Sequence, residues 1–334
     1  MYGQYSGKPA AGVSCANFHR VAPRTLIMHP MIAVTSRSFS ANATLRKNLL
    51  QEFPGARFND EGLRLEGESL VTFLSGAVGA IVGIEPISGS ILEQLPHLRV
   101  LSKFGVGLDS IDLKEVRERG IQLAATSGTN SSAVAELTLL LALGTLRRIP
   151  EAVRNVRSEQ WVSVTGRLLE GKTVGLVGVG HVGKALNKLL QPFGCSVLGF
   201  DVSKSPVDGV SFVALDELLE VSDVVCIHVP LTDTTRGMIG VRQLGLMKND
   251  AVLVNTSRGG VIDESALLAA LISAEIAGAG LDVLETEPPL SWELLGHPKV
   301  FATPHIAGTS QESNLAMGRA AIDGLVQNRD RLMQ

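Results

Sequence analysis

The stretch Thr173-Val-Gly-Leu-Val-Gly178-Val-Gly180-His181-Val182-Gly183, with Lys184–Leu190 behind it, decides how this chain folds. An apolar run leads into three glycines spaced G-x-G-x-x-G, and the residues that follow carry a helical pattern. Strand, glycine turn and helix in that order open a dinucleotide-binding βαβ unit. Gly178 permits the tight turn, Gly180 lets the backbone approach a pyrophosphate, and Gly183 lets helix and strand pack closely. The free N–H groups of the helix start then face the phosphates. Asp201 closes the next strand-like run, Ser196–Phe200, roughly 20 residues on, where an acid accepts hydrogen bonds from the ribose hydroxyls. A carboxylate there repels a 2′-phosphate, so NAD is favoured over NADP, with Lys204 three residues later as a partial compensation.

Working outward, further β-rich runs lie at Val224–Val229, Ala251–Asn255, Gly278–Val283 and Val300–Ala302, making six strands with the two already named. Before the fingerprint, Ile32–Thr35, Ala77–Ile84 and Leu98–Ser102 alternate with helical patterns at Ala41–Glu52, near Ile91–Leu95, and at Leu113–Arg119, which Gly120 ends. Alternation of this kind builds parallel sheets. Turn formers at Thr126–Ser132 separate the two series and lead into a strongly apolar helix, Ala133–Arg148, expected to pack between them. The last helix, Gln311–Arg329, has no strands of its own and is expected to return to the first unit. The expected fold is α/β, with two Rossmann- or flavodoxin-like doubly wound parallel-sheet domains: residues 31–125 plus 306–334, and residues 126–305.

Composition narrows the function. The 334 residues are 45% hydrophobic and 19% charged, with 35 glycines, which suits a Gly-rich α/β enzyme and excludes disorder. Thirty basic and 33 acidic residues leave a net charge of −3, so no positive field draws the chain to nucleic acid or anionic lipid. A small molecule is the expected partner. The apolar run Leu137–Leu146 is well short of the ~20 residues that span a bilayer. Cys15, Cys195 and Cys226 lie far apart, without metal-ligand spacing, and read as reduced thiols in a cytoplasmic compartment; no metal site is expected. No acid precedes Glu52, whereas Lys8, Arg20, Arg24, Arg37, Arg46 and Lys47 do. Residues 1–30 thus read as a transit peptide or, the preferred reading, an unstructured extension ahead of Met31.

Three strand ends in the second half carry functional side chains: Asn255-Thr256-Ser257-Arg258-Gly-Gly, Leu281-Asp282-Val-Leu-Glu-Thr-Glu287-Pro-Pro, and Thr303-Pro-His305-Ile-Ala-Gly308. Singly, Arg258 reads as a surface ion-pair partner, Glu287 as an exposed acid before a turn, and His305 as a core histidine. Together they are what hydride transfer on a 2-keto acid requires. Arginine offers a planar fork to carboxylate and keto oxygen, histidine supplies the proton, and glutamate holds the imidazole and favours its protonated form.

In this order, after a dinucleotide fingerprint, these segments resemble the D-isomer-specific 2-hydroxyacid dehydrogenase family from about residue 31 to the end. Gly105-Val106-Gly107-Leu-Asp109, Ala133-Val-Ala-Glu136 and His228-Val229-Pro230-Leu-Thr232 add to the resemblance. It implies Arg258 as the substrate-orienting group, His305 as acid/base and Glu287 as its partner, in a cleft between a substrate domain (the first unit) and the NAD-binding domain. It implies a substrate-carboxylate cradle at the N–H groups of Val106 and Gly107, and Asp282 as the holder of the nicotinamide amide. His181, Val182, Val229, Pro230, Thr235, Thr256, Ser257, Arg258, His305 and Gly308 match positions lining the dinucleotide. It also implies a homodimer formed through the nucleotide-binding domain.

Ser36-Arg37-Ser-Phe, Gly83-Ile-Glu85-Pro-Ile and Phe104-Gly-Val-Gly look like phosphoglycerate dehydrogenase-type members, with Lys103 and Arg37 as the extra cations a phosphate needs. The C-terminal regulatory domain of many such enzymes is not expected. Hydroxypyruvate or glyoxylate reductase, or a dehydrogenase for a phosphonate-bearing hydroxy acid, is the alternative. Glu287, where formate dehydrogenases carry Gln, and Val106, where phosphite dehydrogenases carry Lys, point to an organic 2-hydroxy acid. An NADH-sensing, corepressor-like binding protein is the alternative of another class.

Overall fold

The described residues form twelve strands in two sheets, both wholly parallel. The structure, a computed structural model, describes residues 1, 3, 30–203 and 205–334. Except for Met1, Gly3 and Pro30, the expected extension lies outside the described residues, as do Cys15 and Lys204. The first sheet holds β1 (Ile32–Val34), β2 (Arg57–Phe58), β3 (Gly79–Val82), β4 (Val100–Lys103) and β5 (Gln122–Ala124), in the order β2-β1-β3-β4-β5. The second holds β6 (Thr173–Val177), β7 (Ser196–Phe200), β8 (Val210–Phe212), β9 (Val224–Ile227), β10 (Val252–Asn255), β11 (Gly278–Leu281) and β12 (Val300–Ala302), in the order β12-β11-β10-β9-β6-β7-β8. Both are α/β units of the expected doubly wound kind.

The second sheet has seven strands where six were expected. β8 is an edge strand of three residues, only partly buried, so it shows neither an apolar run nor a clear alternation. β2 and β5 escape notice for the same reason. The expected helix Ala41–Glu52 begins at Ala43 and runs to Glu52, and a turn of helix that was not expected, Arg37–Ser40, precedes it. Asn42 sets that start, because its Oδ1 accepts from the Thr44 and Leu45 N–H groups, each at 3.1 Å, and caps the helix.

The apolar helix spans Ser131–Leu146 and packs on the seven-stranded sheet, against helix His181–Leu190 and β10, β11 and β12, rather than between the two units. Its packing on the sheet is close: Leu141 and Thr145 lie over Gly280, where an added Cβ would be 2.9 Å from the Leu141 Cβ, and a Cβ on Gly144 would lie 2.3 Å from the Phe301 ring.

The helix Gln311–Gln327 packs on β4 and the helix Ala43–Glu52. Met317, Ala321, Ile322 and Leu325 join Ile32, Val34, Phe39, Leu45, Ile81 and Val100 in one face of the five-stranded core. A Cβ on Gly318 would lie 2.3 Å from Leu45 Cδ1, and the Ser102 hydroxyl donates to the Ala321 carbonyl at 2.6 Å. Among the described residues no helix is long and apolar enough to cross a membrane.

Leu325 is fully buried, so Leu325→Ala is expected to lower unfolding free energy by about 2–5 kcal/mol, with Leu63→Ala, on the surface, changing it by less than about 0.5 kcal/mol. Denaturant titration of the two variants checks this.

Candidate active site

Each sheet reverses its strand order once, between β6 and β9 in the larger and between β1 and β3 in the smaller. Such switch points open a crevice beyond the carboxyl ends of the strands, where loops can reach a ligand. At the larger switch point, Gly178 leaves β6 with φ +99°, and a Cβ there would lie 2.8 Å from the His228 carbonyl carbon that follows β9. Gly183 lets the helix His181–Leu190 approach, since its Cβ would be 2.4 Å from the Gly178 oxygen, while Gly180 faces open space. Asp201, at the end of β7, accepts from the Val179 N–H at 2.7 Å through one carboxylate oxygen and from the Ser203 N–H at 2.8 Å through the other. The negative group is thereby pinned beside the glycine turn. This cradle fits a dinucleotide: a turn only glycine tolerates, an open backbone surface at Gly180, and a fixed acid at the next strand end.

His181 and Val182 form the first turn of that helix, and a Cβ on Gly128 would lie 2.6 Å from the His181 ring. Val229 and Pro230 follow β9, where the Thr235 hydroxyl closes the loop by donating to the Pro230 carbonyl at 2.6 Å. Thr256 and Ser257 follow β10. The Thr256 hydroxyl pairs with that of Thr138 at 2.7 Å, and Ser257 donates both its N–H and its hydroxyl to Asn255 Oδ1, at 3.0 and 2.8 Å. The buried His228 ring, with neither nitrogen hydrogen-bonded, is pushed down to about 4 by desolvation and is neutral near pH 7.

Arg258 leaves the same turn. Its carbonyl accepts from Asn255 Nδ2 at 2.8 Å and its Nη1 donates to the Ser257 carbonyl at 2.7 Å, which fixes the guanidinium at the mouth of the cleft. From there it crosses to the loop after β4. Nε and Nη2 both reach Asp109 Oδ2, at 2.8 and 2.7 Å, and the group lies so close to Gly107 that a Cβ there would be 2.0 Å from Nη2. Gly107, which Val106 precedes in the loop, therefore stands beside Arg258.

Asp282, at the end of β11, is buried and accepts from the Thr303 hydroxyl at 2.6 Å and from the Ile306 and Ala307 N–H groups, each at 2.8 Å. These bonds hold the turn that carries His305, whose φ of +53° is a strained value for a residue with a Cβ. Gly308 closes the turn against Asn130. The imidazole Nδ1 meets Glu287 Oε2 at 2.7 Å, and the other Glu287 oxygen accepts from the Leu284 N–H at 3.0 Å. The Glu287 hydrogen bond raises the His305 pKa above its ordinary value against the opposing effect of burial, and the Glu287 and Asp282 charges add to the rise. Burial opposes ionisation of Glu287, but the hydrogen bonds from His305 and Leu284, with the charges of His305 and Arg258, hold it below the usual carboxylate range. The contact favours the imidazolium form of His305 and the carboxylate form of Glu287.

The two extra cations take different places. Arg37 is exposed on the short helix Arg37–Ser40. Lys103 is buried at the end of β4, where its ammonium donates to the Gly83 carbonyl beside the buried Glu85, and desolvation lowers its pKa. Sequence reasoning passed over Glu85 and Asp109, each read only as part of a motif. It passed over Asn255, which orients the arginine turn, and Glu264, which accepts the Glu285 N–H at 2.5 Å in the loop before Glu287. The G-V-G-L-D spacing was the one available signal for Asp109.

Residues 139–307 match the family model described as D-isomer specific 2-hydroxyacid dehydrogenase, NAD binding domain. A glyoxylate reductase of Thermococcus litoralis is 38% identical over 255 residues, covering 72% of this chain and 77% of that protein. A D-3-phosphoglycerate dehydrogenase of Bacillus subtilis is 33% identical over 247 residues, covering 72% of this chain and 47% of that protein. Among solved structures, an NADPH-dependent glyoxylate/hydroxypyruvate reductase of Sinorhizobium meliloti superposes with a TM-score of 0.78 at 28% identity, over 88% of this chain and 93% of that one.

The His305–Glu287 contact predicts an imidazole that titrates above the ordinary histidine value, with a midpoint that falls in Glu287→Gln because the neutral amide no longer favours the imidazolium. An NMR titration of the ring protons in both proteins checks the direction.

Proposed function

We propose that this chain, which belongs to the D-isomer specific 2-hydroxyacid dehydrogenase family, reduces small 2-keto acids of the glyoxylate and hydroxypyruvate type, with NADH as its cofactor. It is an oxidoreductase acting on the CH–OH group of 2-hydroxy acids and uses a nicotinamide cofactor. The observation that carries the proposal is the His305–Glu287 pair at 2.7 Å, with Arg258 close enough for its charge to act on both.

Gly178, Gly180, His181, Val182 and Gly183 would hold the pyrophosphate, Asp201 the ribose, and Val229, Pro230, Thr235, Thr256, Ser257 and Gly308 the walls around them. Asp282 would lie against the nicotinamide end. When bound, that cofactor supplies the hydride for the keto carbon. Arg258 and the N–H groups of Val106 and Gly107 hold the substrate carboxylate, and Arg258 also faces the keto oxygen as negative charge develops on it. His305 gives the proton from Nε2 to that oxygen, while Glu287 on Nδ1 keeps the ring oriented and protonated. In the oxidative direction His305 takes the proton back. The pinned Asp201 carboxylate supports NADH over NADPH, because a 2′-phosphate would sit against its charge.

A second substrate reading, 3-phosphohydroxypyruvate, is supported by the positive charge of Lys103 near the cradle and by the Bacillus subtilis relative. Against it, the Lys103 ammonium is turned onto Gly83 beside Glu85. We also propose a homodimer. The helix Ile149–Arg157 exposes Ile149, Val153 and Val156 along one face, and Trp161, 95% exposed, follows it with Val162 and Leu168, an apolar surface suited to a second copy.

An NADH-oxidation screen is expected to show glyoxylate and hydroxypyruvate turned over faster than 3-phosphohydroxypyruvate, with NADH preferred to NADPH by roughly tenfold or more in kcat/KM. His305→Ala should lower kcat by roughly 10²–10⁴-fold. No turnover with any 2-keto acid would overturn the reading. Light scattering is expected to give twice the chain mass of 35.3 kDa.

A further inference from the structure

The fork of Arg258 is already engaged by a carboxylate of the chain itself. Asp109 takes both Nε and Nη2 on one oxygen, against the Cα of Gly107 and within the loop that would cradle a substrate carboxylate. The contact joins the carboxyl edges of the two sheets, since Asp109 follows β4 and Arg258 follows β10. With side chains 52% and 32% exposed, such a pair contributes little net stability and exchanges readily. A 2-keto acid competes with Asp109 for the same donors.

The neighbouring charges decide what can win that competition. Lys103, 6% exposed, donates to the Gly83 carbonyl, and the Gly83 N–H donates at 2.6 Å to Glu85, itself 7% exposed. The cation is thus answered by an acid on the same backbone unit and lies within electrostatic reach of Asp109 and Arg258. Two cations, Lys103 and Arg258, meet two acids, Glu85 and Asp109. A substrate with one negative charge replaces Asp109 on Arg258. A second anionic group would meet the displaced Asp109 and the fixed Glu85, with neither cation of the four left unmatched.

Resting on the reaction proposed above, we propose that Asp109 is a specificity-determining residue: an internal carboxylate on Arg258 that the substrate displaces, and whose charge reserves the site for 2-keto acids carrying a single negative charge. Asp109 is a competitor and a filter. It takes no part in proton or hydride transfer.

Oxamate and oxalate test this, because they are nearly isosteric and carry one and two negative charges. Titration calorimetry of the NADH-loaded protein is expected to show oxamate binding several-fold more tightly to Asp109→Asn than to the wild type, and oxalate gaining roughly tenfold more than oxamate. Asp109→Glu, which keeps the charge, should keep the wild-type ratio. In steady state, Asp109→Asn should lower KM for glyoxylate. Weaker binding of both ligands to Asp109→Asn would show that Asp109 only positions Arg258 and would overturn the proposal. So would an unchanged oxalate-to-oxamate ratio, or no binding of either ligand to either protein. The titrations read binding alone, so loss of turnover with every keto acid condemns the proposed reaction, whereas turnover with an unchanged ratio condemns only the role of Asp109.

Discussion

A carboxylate that is 2% exposed, that of Asp282, is intolerable unless hydrogen-bond donors converge on it, and here the chain supplies three. All come from the segment Thr303–Ala307, which therefore has to fold back over the end of β11. Within that turn His305 takes a left-handed backbone conformation that no isolated histidine prefers, held by its N–H on the Asp282 carbonyl at 2.8 Å and by the bonds on either side of it. The imidazole is consequently aimed at Glu287 by the burial of a neighbouring acid. Position comes from Asp282, protonation from Glu287.

The remaining groups reach the cleft by the same logic of strand ends. In a wholly parallel sheet every strand delivers its carboxyl end to one edge, and β4, β6, β7, β9, β10, β11 and β12 each hand a loop to the site. Glycine is demanded where those loops crowd. A Cβ on Gly107 would run into the Arg258 guanidinium, and one on Gly259 would lie 1.8 Å from the Leu284 carbonyl carbon, in the segment that carries Glu287. The arginine and glutamate loops thus pass within contact of each other, which is why their charges act on one another.

Charge in the cleft is arranged in opposed pairs. His305 and Glu287 shift each other's protonation in opposite directions, and Lys103 faces Glu85 in a buried pocket where either alone would be costly. The Arg258–Asp109 pair is the one that joins the two sheets.

Periodicity and punctuation determined most of the architecture. Long, two-sided buried strands such as β6 and β9 betray themselves as apolar runs, and the glycine turn after β6 is legible because only glycine meets its backbone demand. The residue types of the candidate site were legible too, because Arg258, Glu287 and His305 sit at strand ends within distinctive short segments. The short edge strands β2, β5 and β8 were not, since two or three partly buried residues leave no pattern. Nor were the pairings. That Asp109 meets Arg258 across 149 positions, that Lys103 turns onto Gly83, and that Asp282 anchors the histidine turn were decided only when the two sheets brought their edges together. A sequence records which groups the chain carries and which local conformations they favour; the partner each charge finds depends on distances that exist only after the sheets have closed.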